Sequence, residues 1–217
     1  MTALDMQRYE SCGFPNARPL ADRRPGNAEP ATVVVGEVAL TVENGVIRIG
    51  FSRGHKPVRI SGRQEFETIL KEVALGKYEY TDLKPRWLPD LSLGIKDNCY
   101  VVMRLSSDLN WQFIRDAAPF SLSPSANSDI YYDATRVDAE GNIVPTRDSC
   151  GRPVVKDGCM TAFFIADGKT AMEHHKDGFI HHYNINLEIR GTDEHGGVAW
   201  QPLVIDPDIR NPGVSFK

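Results

Sequence analysis

The segment whose residue types could support chemistry runs from Glu173 to Ile189 and reads EHHKDGFIHHYNINLEI. It carries four of the chain's six histidines, as two adjacent pairs. Two imidazoles and a carboxylate form a ligand set that suits Zn²⁺ or Fe²⁺, and a bound ion would activate water for a hydrolytic reaction. The candidate metal ligands in this segment are Glu173, His174, His175, Asp177, His181 and His182.

The second histidine pair lies in an alternating pattern that predicts a β-strand. One face of that strand would carry Phe179, Tyr183, Ile185, Leu187 and Ile189 together with His181. His181 and His182 would then point to opposite faces, so they cannot easily bind one ion. A metal site therefore requires the preceding loop to turn back at Gly178 and bring His174 or His175 close to the strand. The alternative is a polar loop that runs into a strand.

Composition places the chain among ordinary globular proteins. Its 217 residues are 41% hydrophobic and 25% charged, which is enough for one sizeable core. The net charge of -4 argues against a broad basic footprint for nucleic acid. The chain contains no run of about 18 apolar residues that would span a membrane, and its first residues do not resemble a signal peptide. We therefore expect a cytoplasmic protein in which Cys12, Cys99, Cys150 and Cys159 are reduced thiols.

Most of the chain has the pattern of short strands separated by turns. Residues 32–51 predict a hairpin around Asn44 and Gly45, because a type I′ turn needs positive φ at both central positions. Further strand-like runs lie at residues 99–105, 111–115, 130–136, 160–166, 179–190 and 198–205. This spacing favours a sandwich or barrel, and we expect a mainly β fold, an antiparallel β-sandwich.

One amphipathic helix is predicted in the segment SGRQEFETILKEVALG, residues 61–76. Its apolar stripe, at the spacing i, i+3, i+4 and i+7, consists of Phe66, Ile69, Leu70 and Val73. Ser61 has the side chain of an N-cap, and Gln64 lies where a capping box places Glu or Gln. Gly76 is positioned to end the helix in a left-handed conformation.

Residues 1–30 differ from the rest of the chain. They carry prolines at positions 15, 19, 25 and 30 and have no apolar face. We expect an extended, Pro-rich N-terminal arm that packs along its own domain or on a neighbouring subunit. Residues 31–217 are then a single β-sandwich domain.

The sequence lacks the common catalytic motifs. Neither a Gly-rich phosphate loop nor a G-x-S-x-G nucleophile elbow occurs, so no cofactor is predicted apart from the Zn or Fe ion considered above. Cys150 and Cys159 are too far apart in sequence for a zinc knuckle. Trp87, which lies between two prolines, is predicted to plug one end of the core, the alternative being a binding edge. The basic run at residues 52–59 is predicted to be a solvated turn, the alternative being an anion-binding segment.

The end of the chain reads strand, Gly-rich turn, strand and then Asp-Pro-Asp-Ile. It resembles the last hairpin of the AidA/PixA inclusion-body protein family, in which a strand containing Tyr and a turn with Gly precede a second strand and Asp-Pro-x-Ile. The matching residues are Tyr183, Ile185, Leu187, Ile189, Gly196, Gly197, Asp206, Pro207 and Ile209. The family usually has an aromatic residue directly before Asp-Pro, where this chain has Ile205. The resemblance implies a β-sandwich that sometimes accumulates as protein inclusions, and it implies no catalytic residue.

Two functions from different classes follow. The first is a non-catalytic β-sandwich that self-assembles or binds a protein partner, in which the arm or an edge strand adds contacts to a neighbour. The second is a metal-dependent enzyme that uses the His174–His182 cluster with Zn or Fe. We prefer the first, a homo-oligomer or partner-binding protein without nucleic-acid or membrane partners, because no catalytic motif accompanies the histidines.

Overall fold

The computed structural model describes residues 18–19, 28–43, 46–80, 91, 93–94, 97–107, 109–122, 131–167, 179–192, 194–205 and 208–211. The strands in this part of the chain are β1 (Arg18–Pro19), β2 (Thr32–Glu43), β3 (Val46–Arg59), β4 (Leu93–Gly94), β5 (Cys99–Leu105), β6 (Trp111–Phe113), β7 (Phe120–Leu122), β8 (Tyr131–Val137), β9 (Ile143–Val144), β10 (Thr161–Ala166), β11 (Phe179–Thr192), β12 (Val198–Ile205) and β13 (Asp208–Asn211). The helix α1 spans Arg63–Ala74. No helix among these residues is long and apolar enough to cross a membrane.

The described strands form two sheets. Sheet A has β11 at its centre, with β6 and β7 along one side and β12 and β13 along the other. It is extended by β1 beyond β7 and by β4 beyond β13. Sheet B has the strand order β3-β2-β5-β10-β8-β9. This arrangement confirms the prediction of a mainly β, sandwich-like fold with one helix.

The main core lies between the two sheets. Its members include Val34, Val38, Phe51, Val101, Met103 and Leu105 from sheet B and Trp111, Phe113, Phe120, Tyr183, Ile185 and Leu187 from sheet A. The three core residues of β11 are each at most 1% exposed. The apolar face that alternation predicts for β11 is therefore confirmed over this stretch.

A second core lies between sheet B and α1. It contains Phe66, Leu70 and Val73 from the helix and Val33, Val35, Tyr100, Val102, Phe163 and Ile165 from the sheet. The rings of Phe66 and Tyr100 stack with their centroids 3.6 Å apart. This packing confirms the predicted apolar stripe of the helix, with Ile69 partly buried at its margin. Sheet B is covered on both faces, which accounts for the continuous apolar runs of its central strands.

The start of α1 corrects the sequence prediction. The N-cap is Gly62, with φ 148°, and it makes no side-chain cap bond. Glu65, and not Gln64, is the third helical residue, and its carboxylate accepts hydrogen bonds from the Ser61 hydroxyl at 2.6 Å and the Ser61 N–H at 2.7 Å. These bonds lower the pKa of Glu65. The assignment of Ser61 and Gln64 to a capping box is wrong because Gly62 adopts a backbone conformation that favours glycine and moves the helix start by one residue.

The end of α1 follows the prediction. Gly76 has φ 68°, and its N–H donates to the Val73 carbonyl oxygen at 3.0 Å. A Cβ atom at this position would lie 3.0 Å from Arg104 Nη2. Glycine is therefore favoured here both by the left-handed conformation and by the close side chain.

The hairpin of β2 and β3 confirms the prediction for this region. Its ladder runs from the pair Thr32–Arg59 to the pair Glu43–Val46, and the turn residues between the strands lie outside the described residues. From Thr32 to Val38, β2 also pairs with β5 in parallel, and the connection that parallel pairing requires contains α1. The pairing of β4 with β13 is parallel too. The sheets are therefore mixed, where the sequence predicted antiparallel pairing throughout.

The other strand predictions differ mainly at the ends. The bounds of β5 and β12 are those predicted, but the strand expected at residues 111–115 ends at Phe113. The strands that the sequence did not predict, namely β1, β4, β7, β9 and β13, are two to four residues long. Such short strands carry too little alternation to be recognised, and only their neighbours in the sheet define them.

The N-terminal arm is described only in part. Its piece β1 pairs with β7, so this part of the arm lies along its own domain. Nearer the domain, Glu29 accepts a hydrogen bond from the Tyr100 hydroxyl, and Pro30 is buried. Residues 1–17 and 20–27 lie outside the described residues, and the boundary at residue 30 stays a prediction.

We expect Leu187→Ala to lower the free energy of unfolding by about 2–5 kcal/mol, because Leu187 is fully buried between the sheets and its truncation leaves a cavity. Denaturant melts of both proteins measure this difference. Leu75→Ala is the control: Leu75 is 41% exposed, and its truncation should change stability by no more than about 0.5 kcal/mol. Equal losses for the two variants would contradict the assignment of Leu187 to the core.

Candidate functional site

A loop interrupts the strand that lies beside β11. β6 and β7 pair with successive parts of β11, and residues 114–119 leave the sheet between them, opposite Asn186. The Asn186 carbonyl accepts a hydrogen bond from the Ile114 N–H at 3.0 Å, and the Asn186 N–H donates to the Pro119 carbonyl at 2.8 Å. The side-chain Nδ2 of Asn186 donates to the Ala118 carbonyl at 3.0 Å. Asn186 therefore holds both ends of this loop, which we call the 114–119 loop.

The outer face of β11 carries a row of buried polar side chains. Asn184, Asn186 and Glu188 alternate with the core residues and are at most 2% exposed. The Ser121 hydroxyl accepts hydrogen bonds from Asn184 Nδ2 at 3.3 Å and from Asn186 Nδ2 at 3.2 Å. The alternating pattern of the sequence places these residues away from the core. It gives no sign of their burial, because it predicts one strand at residues 111–115 and does not show that the chain leaves the sheet after Phe113.

Glu188, the last residue of this polar row, belongs to a network of ion pairs. Arg115 Nε lies 2.7 Å from Glu188 Oε2, and Arg115 Nη1 lies 3.3 Å from Asp157 Oδ1. The Arg115 guanidinium also lies over the Trp200 ring, 5.4 Å from its centroid. Burial acts to lower the pKa of Arg115, but the hydrogen bonds with Glu188 and Asp157 outweigh it, and the pKa is raised. Arg115 therefore stays charged and joins the 114–119 loop to β11 and β12.

A second arginine fixes the same loop from sheet B. Arg136 in β8 is fully buried, and its guanidinium donates to the carbonyl oxygens of Ile114 at 3.1 Å, Val154 at 2.7 Å and Arg115. Burial lowers the pKa of Arg136 from its ordinary value. Since the guanidinium is held by neutral carbonyl groups in the interior, we assign Arg136 a structural role in joining the two sheets.

The edge strand β12 presents an apolar stripe on the same outer face. Among the described strands, β12 pairs only with β11. Its outward residues are Val198, Trp200, Pro202 and Val204, and their ladder partners on β11 are polar: Thr192, Arg190, Glu188 and Asn186. Val198 is 60% exposed and Pro202 is exposed, whereas Trp200 is partly covered by Arg115. This stripe, with the exposed residues Arg190 and Thr192 of β11 beside it, forms the candidate functional surface.

The predicted metal ligands fall largely outside the part of the chain that the structure describes. Glu173, His174, His175 and Asp177 lie outside the described residues. His181 and His182 occupy consecutive ladder positions of β11, opposite Ile209 and Asp208 of β13. The described residues contain no group of three or more His, Cys, Asp or Glu that could hold a metal ion. The metal site therefore stays a prediction.

Other residues singled out in the sequence have structural settings. Cys99 and Cys159 are buried and Cys150 is exposed, and all three are free thiols. Burial raises the pKa of Cys99 to about 12, with a further contribution from Asp97, so this thiol is unreactive. The basic run at residues 52–59 belongs to β3 and is not a turn, so that prediction is wrong. The predicted hairpin ended at residue 51, whereas its second strand continues through this run to Arg59. Cys12 and Trp87 lie outside the described residues.

No protein-family model matches this chain, and no curated protein matches it in sequence.

We expect Arg115→Met to lower the free energy of unfolding by about 2 kcal/mol or more, because it leaves the buried Glu188 carboxylate without its guanidinium partner. In the double variant Arg115→Met/Glu188→Met the loss should be smaller than the sum of the two single losses. Arg152→Met is the matched control. Its ion pair with Asp148 has an N–O distance of 2.8 Å but is solvent-exposed, so the loss should stay below about 1 kcal/mol. Additive losses in the double variant would argue against this ion pair as a stabilising contact.

A native mass spectrum of the full-length protein, purified without a His-tag or chelator, measures the predicted metal site directly. Because we prefer the non-catalytic function, we expect the apo mass. A spectrum with one stoichiometric metal ion per chain would instead favour the enzyme. Its loss in a His174→Ala/His182→Ala variant would then assign the ion to this segment.

Proposed function

We propose that this protein is a non-catalytic β-sandwich whose function is self-assembly, with a second copy of the chain as the partner of β12. The observation that carries the proposal is that β12, an eight-residue edge strand among the described strands, has no charged side chain, and that Val198 and Pro202 of its outward stripe are exposed. An edge strand of this kind offers both unpaired backbone groups and apolar surface to another chain.

The other described edges lack this combination. Sheet B ends at β3, which carries the exposed residues Arg53, Lys56, Pro57 and Arg59, and at β9, which has two residues. Sheet A ends at β1 and β4, which also have two residues each. Charged residues, proline and short length are the features that protect sheet edges from pairing with other chains. β12 has only Pro202 for this purpose.

The polar residues beside the stripe would fix how two copies of the chain are oriented. Arg190 and Thr192 border Trp200 and Val198 on the side of β11, and both are exposed. Two copies related by a two-fold axis would bring the two apolar stripes together, because such an interface uses the same surface patch on each copy. Arg190 and Thr192 would then lie at the rim, where hydrogen bonds remain open to water.

The resemblance to the AidA/PixA family is in keeping with this proposal, since that family contains β-sandwiches that accumulate as inclusions. The resemblance itself stays an expectation from the C-terminal residues. The enzyme remains the alternative prediction, and the metal measurement above distinguishes it from assembly.

We expect Val198→Lys to weaken self-association at least about tenfold, because it places a charged group within the apolar contact, at a position of the stripe that is 60% exposed. Sedimentation equilibrium over a range of protein concentrations measures this change in the dissociation constant. The wild-type protein should be a dimer or a larger assembly.

Leu75→Lys is the matched control for this substitution. Leu75, like Val198, is an exposed apolar residue, but it lies at the C-terminal end of α1, on the face of sheet B that points away from sheet A. A positive charge at this end of a helix is compatible with the helix dipole. This variant should associate like the wild type. A wild-type chain that stays monomeric at about 100 µM would rule out assembly through β12 with a dissociation constant below about 100 µM.

A further inference from the structure

A cluster of polar residues lies on the helix side of sheet B, beyond the end of α1. We call it the Arg104 cluster, and it consists of Glu37, Ser52, Arg53, Tyr80, Arg104 and Thr161. Arg53, Glu37, Arg104 and Thr161 occupy neighbouring positions across four strands, β3, β2, β5 and β10, in that order. Tyr80 follows α1 and packs near Gly54, where a Cβ atom would lie 2.9 Å from its Cδ1.

Three polar atoms of this cluster are buried without a hydrogen-bond partner in the described part of the chain: Tyr80 Oη, Arg104 Nε and Thr161 Oγ1. Thr161 is only 1% exposed and lies directly beside Arg104 in the ladder. Buried polar groups are nearly always paired, and each unpaired group costs free energy. Arg104 and Thr161 are neighbours in the ladder, and Tyr80 interacts electrostatically with Arg104, so three unpaired groups that can all donate indicate a missing acceptor.

The charges of the cluster indicate what kind of acceptor fits. The Glu37 carboxylate accepts a hydrogen bond from the Ser52 hydroxyl at 2.9 Å, and it lies 3.5 Å from Arg104 Nη1 and 3.7 Å from Arg53 Nε. Two arginines and one carboxylate leave a net charge of about +1. This charge balances a monoanion better than a dianionic phosphate.

The shape of Arg104 points to a planar anion. Its Nη1 faces Glu37, so the Nε edge of the guanidinium is the part left for another acceptor. A carboxylate binds this edge of a guanidinium with two parallel hydrogen bonds. The Arg104 side chain is 23% exposed and that of Glu37 14% exposed, so the cluster borders solvent, and its three unpaired atoms are buried beneath this border.

We propose that the Arg104 cluster is a binding site for a carboxylate group of a small molecule, held by Arg104 with the hydroxyl groups of Tyr80 and Thr161. This site lies on sheet B and is separate from the assembly surface on β12. The two proposals therefore stand or fall independently.

The test uses the full chain and acetate as the probe. The Nε–H signals of arginine are followed in ¹⁵N–¹H NMR spectra during a titration with sodium acetate, at neutral pH and constant ionic strength. The Nε–H signal that is absent from the spectrum of the Arg104→Lys variant is assigned to Arg104. We expect a saturable shift of this signal with acetate, and no comparable shift with sodium chloride. Tyr80→Phe and Thr161→Val should each raise the half-saturating acetate concentration about tenfold, because each removes one hydrogen bond to a charged group.

Ser106→Ala is the matched control. Ser106 Oγ is also buried without a hydrogen-bond partner among the described residues, but it does not belong to the cluster. Its removal should leave the acetate titration unchanged. Thermal melts without acetate check that the variants fold, and the loss of an unpaired hydroxyl should leave the melting temperature equal or higher. An equal response to chloride, unchanged titrations of Tyr80→Phe and Thr161→Val, or tighter binding of phosphate than of acetate would each overturn the proposal.

Discussion

The structure depends on one constraint: the middle of β11 is buried on both faces. Its inner face contributes Tyr183, Ile185 and Leu187 to the core between the sheets, while its outer face carries amides and a carboxylate that are just as inaccessible. A polar side chain without water needs partners in the protein. The 114–119 loop supplies partners for Asn186 and Glu188 through a carbonyl group and Arg115, and Ser121 of β7 supplies one for Asn184.

This constraint accounts for the way in which the two sheets are joined. The loop that covers β11 has no regular structure, so its backbone carbonyls need donors from elsewhere. Arg136 of sheet B supplies donors to Ile114, Arg115 and Val154, and Asn186 of sheet A supplies another. The guanidinium is costly to bury, but here it satisfies several carbonyl groups at once. The loop is thus held from both layers of the sandwich.

The same arrangement separates two kinds of surface. On sheet A, the uncharged edge strand β12 lies beside the covered row of β11. Its lack of charge makes β12 suited to contact another chain. On sheet B, α1 covers the apolar part of the outer face and ends at Gly76, beside Arg104. Beyond the helix end, Tyr80 Oη, Arg104 Nε and Thr161 Oγ1 have no acceptor among the described residues. The two proposed sites, for assembly and for carboxylate binding, therefore lie on opposite sides of the sandwich.

The sequence by itself determined the elements whose side chains repeat with a regular period. The helix stripe, the hairpin of β2 and β3 and the inner face of β11 follow from local spacing, because period and secondary structure are linked directly. The tertiary structure alone decided the helix start at Gly62, the parallel pairing of β2 with β5 and the burial of Asn186. These depend on residues distant in the chain, or on a backbone angle that no side-chain pattern specifies. The unpaired donors around Arg104 are of the same kind, since Tyr80, Arg104 and Thr161 meet only when the sheet and helix have come together.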